Sequence, residues 1–263
     1  MRKPIVDGIF YPADKNTLKT KVEELLAGVQ SQPGKANAIL VPHAGYNYTG
    51  EHAAKGFKAV SGREIRTAVV LAPVTRDAHD GIFLCDYNAF QTPLGDMPVD
   101  QELCRELLKY KGRLAVNNFP FLEEHSIEVQ LPFIQNLWPE AALVPIHMGR
   151  QNSGTVKQLS KVLKGVFADR MESTLFVISA NISPYLVRSL AQEYADSFMA
   201  LATGGGSEAI LAELQKRKPL PNGTGCTAAV LGMAENAPQV TVLGTADSGG
   251  EKIVCYASLA ISF

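Results

Sequence analysis

Four short stretches of this chain are apolar at almost every position: Ala38–Val41, Ala68–Ala72, Leu143–Ile146 and Leu175–Ile178. A strand with one wet face alternates apolar and polar residues, so uninterrupted runs of this length imply strands covered on both faces. Between them lie segments with helical spacing, such as Leu18, Val22, Leu25 and Leu26, or Val156, Leu159, Val162, Leu163 and Val166. Ala53, Ala54, Phe57 and Val60 predict a further helix over Glu51–Val60, and Leu103, Leu107 and Leu108 predict one that starts at Asp100. Strand–helix alternation of this kind predicts an α/β fold: a central sheet, mostly parallel with mixed edges, and helices on both faces. With 263 residues and no internal repeat or linker-like shift in composition, residues 1–263 are expected to form a single domain.

Charge narrows the function. The net charge is −1 and no basic cluster occurs, which argues against nucleic acid or an anionic membrane as the main partner. The N-terminus carries no apolar core of signal length, and no run is long enough to span a bilayer. Cys85, Cys104, Cys226 and Cys255 show no paired spacing, so free buried thiols in a reducing cytoplasm are expected.

The chemistry-bearing residues fall where strands end. His43 follows the first apolar run in Val41-Pro42-His43-Ala44-Gly45-Tyr46, and Thr75 follows the second. Asn181 follows the strand at Leu175–Ile178, and Thr224 opens a small-residue helix running to Met233. Clefts in open α/β sheets form at the carboxyl ends of strands, so these residues are expected in one crevice. A second arresting stretch is Glu123–Phe133, where Ser126 could cap a helix containing Ile127, Leu131 and Ile134, with His125 at its entrance. Asp14 is the expected cap of the first helix, and Ser31–Gly34 the turn that ends that unit. Phe90–Asp96 reads as irregular, and Gly204-Gly205-Gly206 as a flexible turn between two helices. Val240–Leu243 and Ile253–Ile261 read as late strands. His147 reads as a strand-end histidine and His52 as a helix-surface one, neither with a nameable partner.

Taken in order, Phe10-Tyr11-Pro12, Pro42-His43-Ala44-Gly45-Tyr46, Thr92-Pro93-Leu94-Gly95-Asp96 with Val99-Asp100, Glu124-His125-Ser126-Ile127-Glu128 with Gln130-Leu131-Pro132-Phe133, and Val144-Pro145-Ile146 with Gly149 form a pattern. It resembles the Memo family, whose prokaryotic members are known as AmmeMemoRadiSam system protein B. The resemblance implies a fold related to the class III (LigB-type) extradiol dioxygenases, which hold non-haem iron at strand ends. It also implies a metal pocket made by a His in Pro-His-Ala-Gly, a His after Gly-Pro-Ser/Asn and a Cys before Gly at a helix start, with an Asp and a His from Ser-Ser-Asp-x-x-His nearby. AmmeCR-type and radical-SAM proteins are the partners it implies.

Residue by residue, that pocket mostly fails to carry over. His43 matches, but Thr75 stands for the second His, Thr224 for the Cys, Asn181 for the Asp and Pro184 for the remaining His. A hydroxyl that does not ionise near pH 7 is a poor ligand, and a first-row metal needs about three good donors. The expectation is therefore a degenerate pocket of His43, Thr75, His125, Asn181 and Thr224, without cofactor, that binds a small molecule or a protein. An alternative ligand set of His43, His79 and Cys226 would restore two imidazoles and a thiolate for iron, copper or zinc, and with them an oxidoreductase. A third reading is metal-free acid–base chemistry, with His43 and His125 as catalytic candidates and Glu124 or Glu128 orienting an imidazole. Helix-start charge complementarity would explain both glutamates without function.

Overall fold

The computed structural model describes residues 1–30, 34–76, 79–216 and 219–263. The chain opens with α1 (Lys15–Ala27), capped by Asp14, whose carboxylate accepts from the Thr17 main-chain N–H at 2.9 Å. β1 (Ala38–Val41) is buried at every position and passes through a tight loop into α2 (Tyr46–Ala59). Next come β2 (Thr67–Pro73), β3 (Ile82–Leu84), β4 (Ala89–Thr92), β5 (Gly95–Pro98), α3 (Gln101–Leu108), β6 (Leu114–Val116) and α4 (Phe119–Glu123). The middle of the chain supplies α5 (Leu131–Leu137), β7 (Ala142–Met148), α6 (Ser153–Phe167), β8 (Thr174–Ser179), β9 (Leu186–Val187) and α7 (Arg188–Ala200). The last part holds α8 (Gly206–Gln215), α9 (Thr224–Leu231), β10 (Gln239–Asp247), β11 (Lys252–Ile253) and β12 (Cys255–Ser262).

One eight-stranded sheet has the order β10-β12-β1-β8-β2-β7-β3-β6. Its centre, β1, β8, β2 and β7, is parallel, whereas β12 joins β1 and β3 joins β7 in antiparallel pairing. The expected mixed α/β sheet is therefore present, with the uninterrupted apolar runs forming its parallel centre. Helices flank it: α2 packs along β1, β10 and β12, and α9 along β2 and β8. Gly56 of α2 lets the helix close on Val41, since a Cβ there would lie 2.3 Å from the Val41 side chain. Because β1, β8, β2 and β7 run the same way, their carboxyl ends line up at one edge of the sheet. His43, Thr75, Gly149 and Asn181 all follow those ends.

Several local expectations need correction. The second helix begins at Tyr46 rather than Glu51, because Gly45 is already its N-cap and the Tyr46 N–H donates to the Phe10 carbonyl at 2.8 Å. Phe90–Asp96 is not irregular: β4 and β5 pair as a hairpin, and the Thr92 hydroxyl accepts from the Leu94 N–H across the turn. Ser126 caps no helix; a short 3-10 turn over Glu128–Gln130 leads into α5 instead, with Pro132 in its first turn. Gly204 and Gly205 end a π-helical turn over Leu201–Gly205, and Gly206 opens α8. Lys252–Ile253 leaves the large sheet to pair with β9, so the final strand starts at Cys255. His52 is no surface residue but is buried against the sheet. The turn expected at Ser31–Gly34 falls outside the described residues except for Gly34. The four cysteines are free and buried, as expected.

Candidate functional site

The segment Glu124–Gln130 runs across the carboxyl edge of the sheet and does two jobs. Its first is to hold the N-terminus. Arg2, 2% exposed, pairs with Glu128, which is fully buried, and donates to the carbonyls of Phe121 at 2.8 Å and Glu124 at 3.1 Å. The second lone-pair set of the Glu128 carboxylate accepts from the main-chain N–H groups of Ile5 and Val6, each at 3.1 Å, and from the Tyr11 hydroxyl at 2.6 Å. Burial and the neighbouring carboxylate both push the Tyr11 phenol up. A buried charge is tolerated only when its partner and hydrogen bonds are complete, and here they are. Glu128 is therefore a structural anchor, neither an orienter of imidazole nor a simple helix-start charge.

The second job is the crevice. The His43 main-chain N–H donates to Asn181 Oδ1 at 3.1 Å, joining the ends of β1 and β8. His43 Nδ1 lies 3.5 Å from Ser179 Oγ. That hydroxyl donates to the Ser126 carbonyl at 2.6 Å and accepts from Gln130 Nε2 at 2.8 Å, while the same amide donates to the Pro42 carbonyl at 2.9 Å. The His125 ring stands edge-on to His43, centroids 5.8 Å apart, with the Phe10 ring edge-on to it at 4.5 Å. Burial pulls the His43 imidazole down to about 3, with His125 adding to the effect, and burial also lowers His125. Both rings are neutral at physiological pH. Two buried polar atoms of this network, Ser126 Oγ and Gln130 Oε1, have no hydrogen-bond partner among the described residues.

Glu124 does not orient either ring. Its carboxylate is turned to the end of β2, accepting from the Thr75 main-chain N–H at 2.6 Å, from the Thr75 hydroxyl at 2.8 Å and from the Arg76 N–H at 3.2 Å. The hydroxyl that replaces an imidazole at Thr75 thus serves as a hydrogen-bond donor to a buried carboxylate. Thr224 is buried, and its hydroxyl donates to the Pro221 carbonyl at 2.7 Å. It borders a separate cavity of about 640 Å³ with Arg150, Gln151 and Asn152. Of the five expected pocket residues, the structure links His43, His125 and Asn181 directly and Thr75 through Glu124, with Thr224 facing elsewhere.

The alternative ligand set is not assembled. His79 is exposed, whereas Cys226 is wholly buried inside α9, where burial pushes its thiol up to about 12. Among the described residues, no three His, Cys, Asp or Glu side chains gather closely enough to hold a metal ion. The donor set present therefore does not fit the iron, copper or zinc that the dioxygenase resemblance implies.

His147 is more deeply placed than a strand-end histidine should be. It is fully buried on β7, its ring edge-on to Phe121 with centroids 4.7 Å apart. Neither ring nitrogen has a partner in hydrogen-bond geometry among the described residues, the nearest main chain being that of Ala72 and Pro73. Burial holds this imidazole down to about 3. Ser179, which helps organise the crevice, gives no periodic or motif signal of its own, and the Gln130-Leu131-Pro132-Phe133 stretch marks Gln130 without showing what its amide binds. Arg2 reads as an ordinary charged terminus until the fold shows what encloses it.

Comparison with known proteins gives one consistent result. A family model described as "Memo-like protein" matches residues 2–258. A MEMO1 family protein of Caldivirga maquilingensis is 32% identical over 195 residues, covering 70% of this chain and 69% of the relative. One from Aquifex aeolicus is 36% identical over 188 residues, covering 71% and 68%. One from Thermotoga maritima is 29% identical over 262 residues, covering 94% and 93%. Among solved structures, an uncharacterized protein from Escherichia coli K12 superposes with a TM-score of 0.54 at 14% identity, over 84% of this chain and 98% of that one. At that identity the likeness concerns the fold alone.

Proposed function

This chain belongs to the Memo-like protein family, and from that premise we propose that it is a binding protein of the AmmeMemoRadiSam type, working through a degenerate metal pocket. The ligand is a small molecule or a protein, met at the crevice of His43, His125 and Asn181. One observation carries this reading: the carboxylate of Glu124, the residue before His125, is committed to the Thr75 loop, which leaves two neutral rings edge-on to each other. Two imidazoles without an anionic donor form a poor transition-metal site and a weak proton relay, yet they make a good recognition surface. Residues 1–263 act in this reading as a single cytoplasmic domain, with AmmeCR-type and radical-SAM proteins as partners. Among the described residues no helix is long and apolar enough to cross a membrane, which is compatible with that location.

The test has two arms. Protein expressed in medium supplemented with iron, copper and zinc is expected to carry far less than one equivalent of metal by elemental analysis. A library of small metabolites is expected to yield compounds that raise its melting temperature, and His43→Ala should abolish that response. Stoichiometric metal that disappears in His43→Ala, His79→Ala or Cys226→Ala would establish the oxidoreductase reading instead.

A further inference from the structure

The hydrogen bonds around His43 leave little freedom in where its proton sits. The Ser179 hydroxyl has one proton, and at 2.6 Å from the Ser126 carbonyl that proton is already used. Toward the His43 Nδ1 at 3.5 Å, Ser179 Oγ can therefore only accept. A proton on Nδ1 satisfies this contact, and Nε2 is left with a bare lone pair. The second assignment is as constrained. A main-chain N–H cannot accept, so the Asn181 atom 3.1 Å from the His43 nitrogen must be Oδ1. The Asn181 Nδ2 is then directed away, and it has no hydrogen-bond partner among the described residues. Asn181 itself is half-buried.

We propose that the crevice presents an acceptor at His43 Nε2 and a donor at Asn181 Nδ2, and that this pair selects a neutral ligand group of the carboxamide type, which both donates and accepts. The inference rests on the small-molecule form of the function proposed above and gives it a ligand class. The buried Arg2 is taken up by Glu128 and is not free to hold an acid. Glu128 and Glu124 are both engaged, so neither is free to hold an amine. The orphaned Gln130 Oε1 and Ser126 Oγ, buried beside Ser179, fit the same account as polar atoms that a bound amide or its water can complete.

The test uses full-length protein with isotope-labelled histidine, read by long-range proton–nitrogen correlation before any probe is added. Wild type is expected to show His43 protonated on Nδ1 and bare on Nε2. Acetamide, acetate and methylammonium are then titrated separately, and acetamide is expected to move the His43 and Asn181 side-chain resonances at the lowest concentration. Asn181→Asp keeps the oxygen that receives the His43 N–H but replaces the free donor with an acceptor. It should weaken the acetamide response at least tenfold, about 1.4 kcal/mol. A proton on Nε2 in wild type, a stronger response to acetate or methylammonium, or no response to any of the three would overturn the proposal. The separate metabolite screen distinguishes the two readings. A compound of another class that stabilises the fold through His43 would uphold binding while sinking the carboxamide assignment.

Discussion

Two polar clusters share the segment Glu124–Gln130, and they are built on opposite rules. Around Glu128, charge is buried and every donor and acceptor is matched: Arg2, Tyr11 and the main chain of Ile5 and Val6 converge on one carboxylate. Around His43, the groups are neutral and the network is incomplete among the described residues, with Ser126 Oγ, Gln130 Oε1 and the Asn181 amide nitrogen unmatched there. Neighbouring residues of one segment thus separate two tasks. A complete charged cluster fixes the chain and has nothing left to offer a ligand. An incomplete neutral one gives up some stability and keeps hydrogen-bonding capacity free.

The sharpest way to break this contrast is to cut the charged cluster. Glu128→Ala leaves Arg2 buried without its partner and is expected to lower stability by about 3–5 kcal/mol in denaturant unfolding. A loss below about 1 kcal/mol would show that the anchor is no more essential than the crevice. Acid comes next. His43 and His147 bind a proton near 6.5 when unfolded but only near 3 when folded, so the unfolded state takes up protons first as pH falls. Stability is therefore full above about 6.5 and is lost on acidification toward 3, at about 1.4 kcal/mol per pH unit for each histidine. His147→Phe should flatten the pH dependence of the melting temperature by the share of one proton, and an unchanged slope would mean that His147 protonates freely in the fold.

Glu124→Gln is expected to cost about 1–3 kcal/mol, since Thr75 and Arg76 lose a charged acceptor. Faster hydrogen exchange at those two amides, with the N-terminal amides of Ile5 and Val6 unchanged, would confirm that the two clusters are separable. Joint acceleration would merge them. The smallest effect belongs to His79→Ala, an exposed side chain outside both clusters: less than about 0.5 kcal/mol in unfolding and no change in metal content.

The architecture was legible because parallel strands covered on both faces must be apolar throughout, as Ala38–Val41 and Leu175–Ile178 are. Caps with local chemistry, such as Asp14 and Asp100, were legible for the same reason: the residue that makes them lies within three positions of the group it satisfies. What sequence could not convey was pairing over distance. Arg2 meets Glu128, and Glu124 meets Thr75, across spans that leave no periodic trace. The motifs around His43 and around His125 pointed to two rings that the structure brings together. Yet the residues that tune those rings, Ser179 and Gln130, are ordinary polar types whose role comes from the register of β1 with β8 and from the turn over Glu128–Gln130 that crosses their ends. The β4–β5 hairpin was missed because its turn holds Thr92-Pro93-Leu94-Gly95 between strands too short to show alternation.

The position of β1 has a consequence in time. It is the strand that delivers His43, and it lies between β8 and β12, which are made much later on the ribosome. Half of its neighbours do not exist until Cys255–Ser262 have been synthesised. One edge of β1 thus stays unpaired until that strand is made, and a nascent chain stalled before it would expose that edge to chaperones.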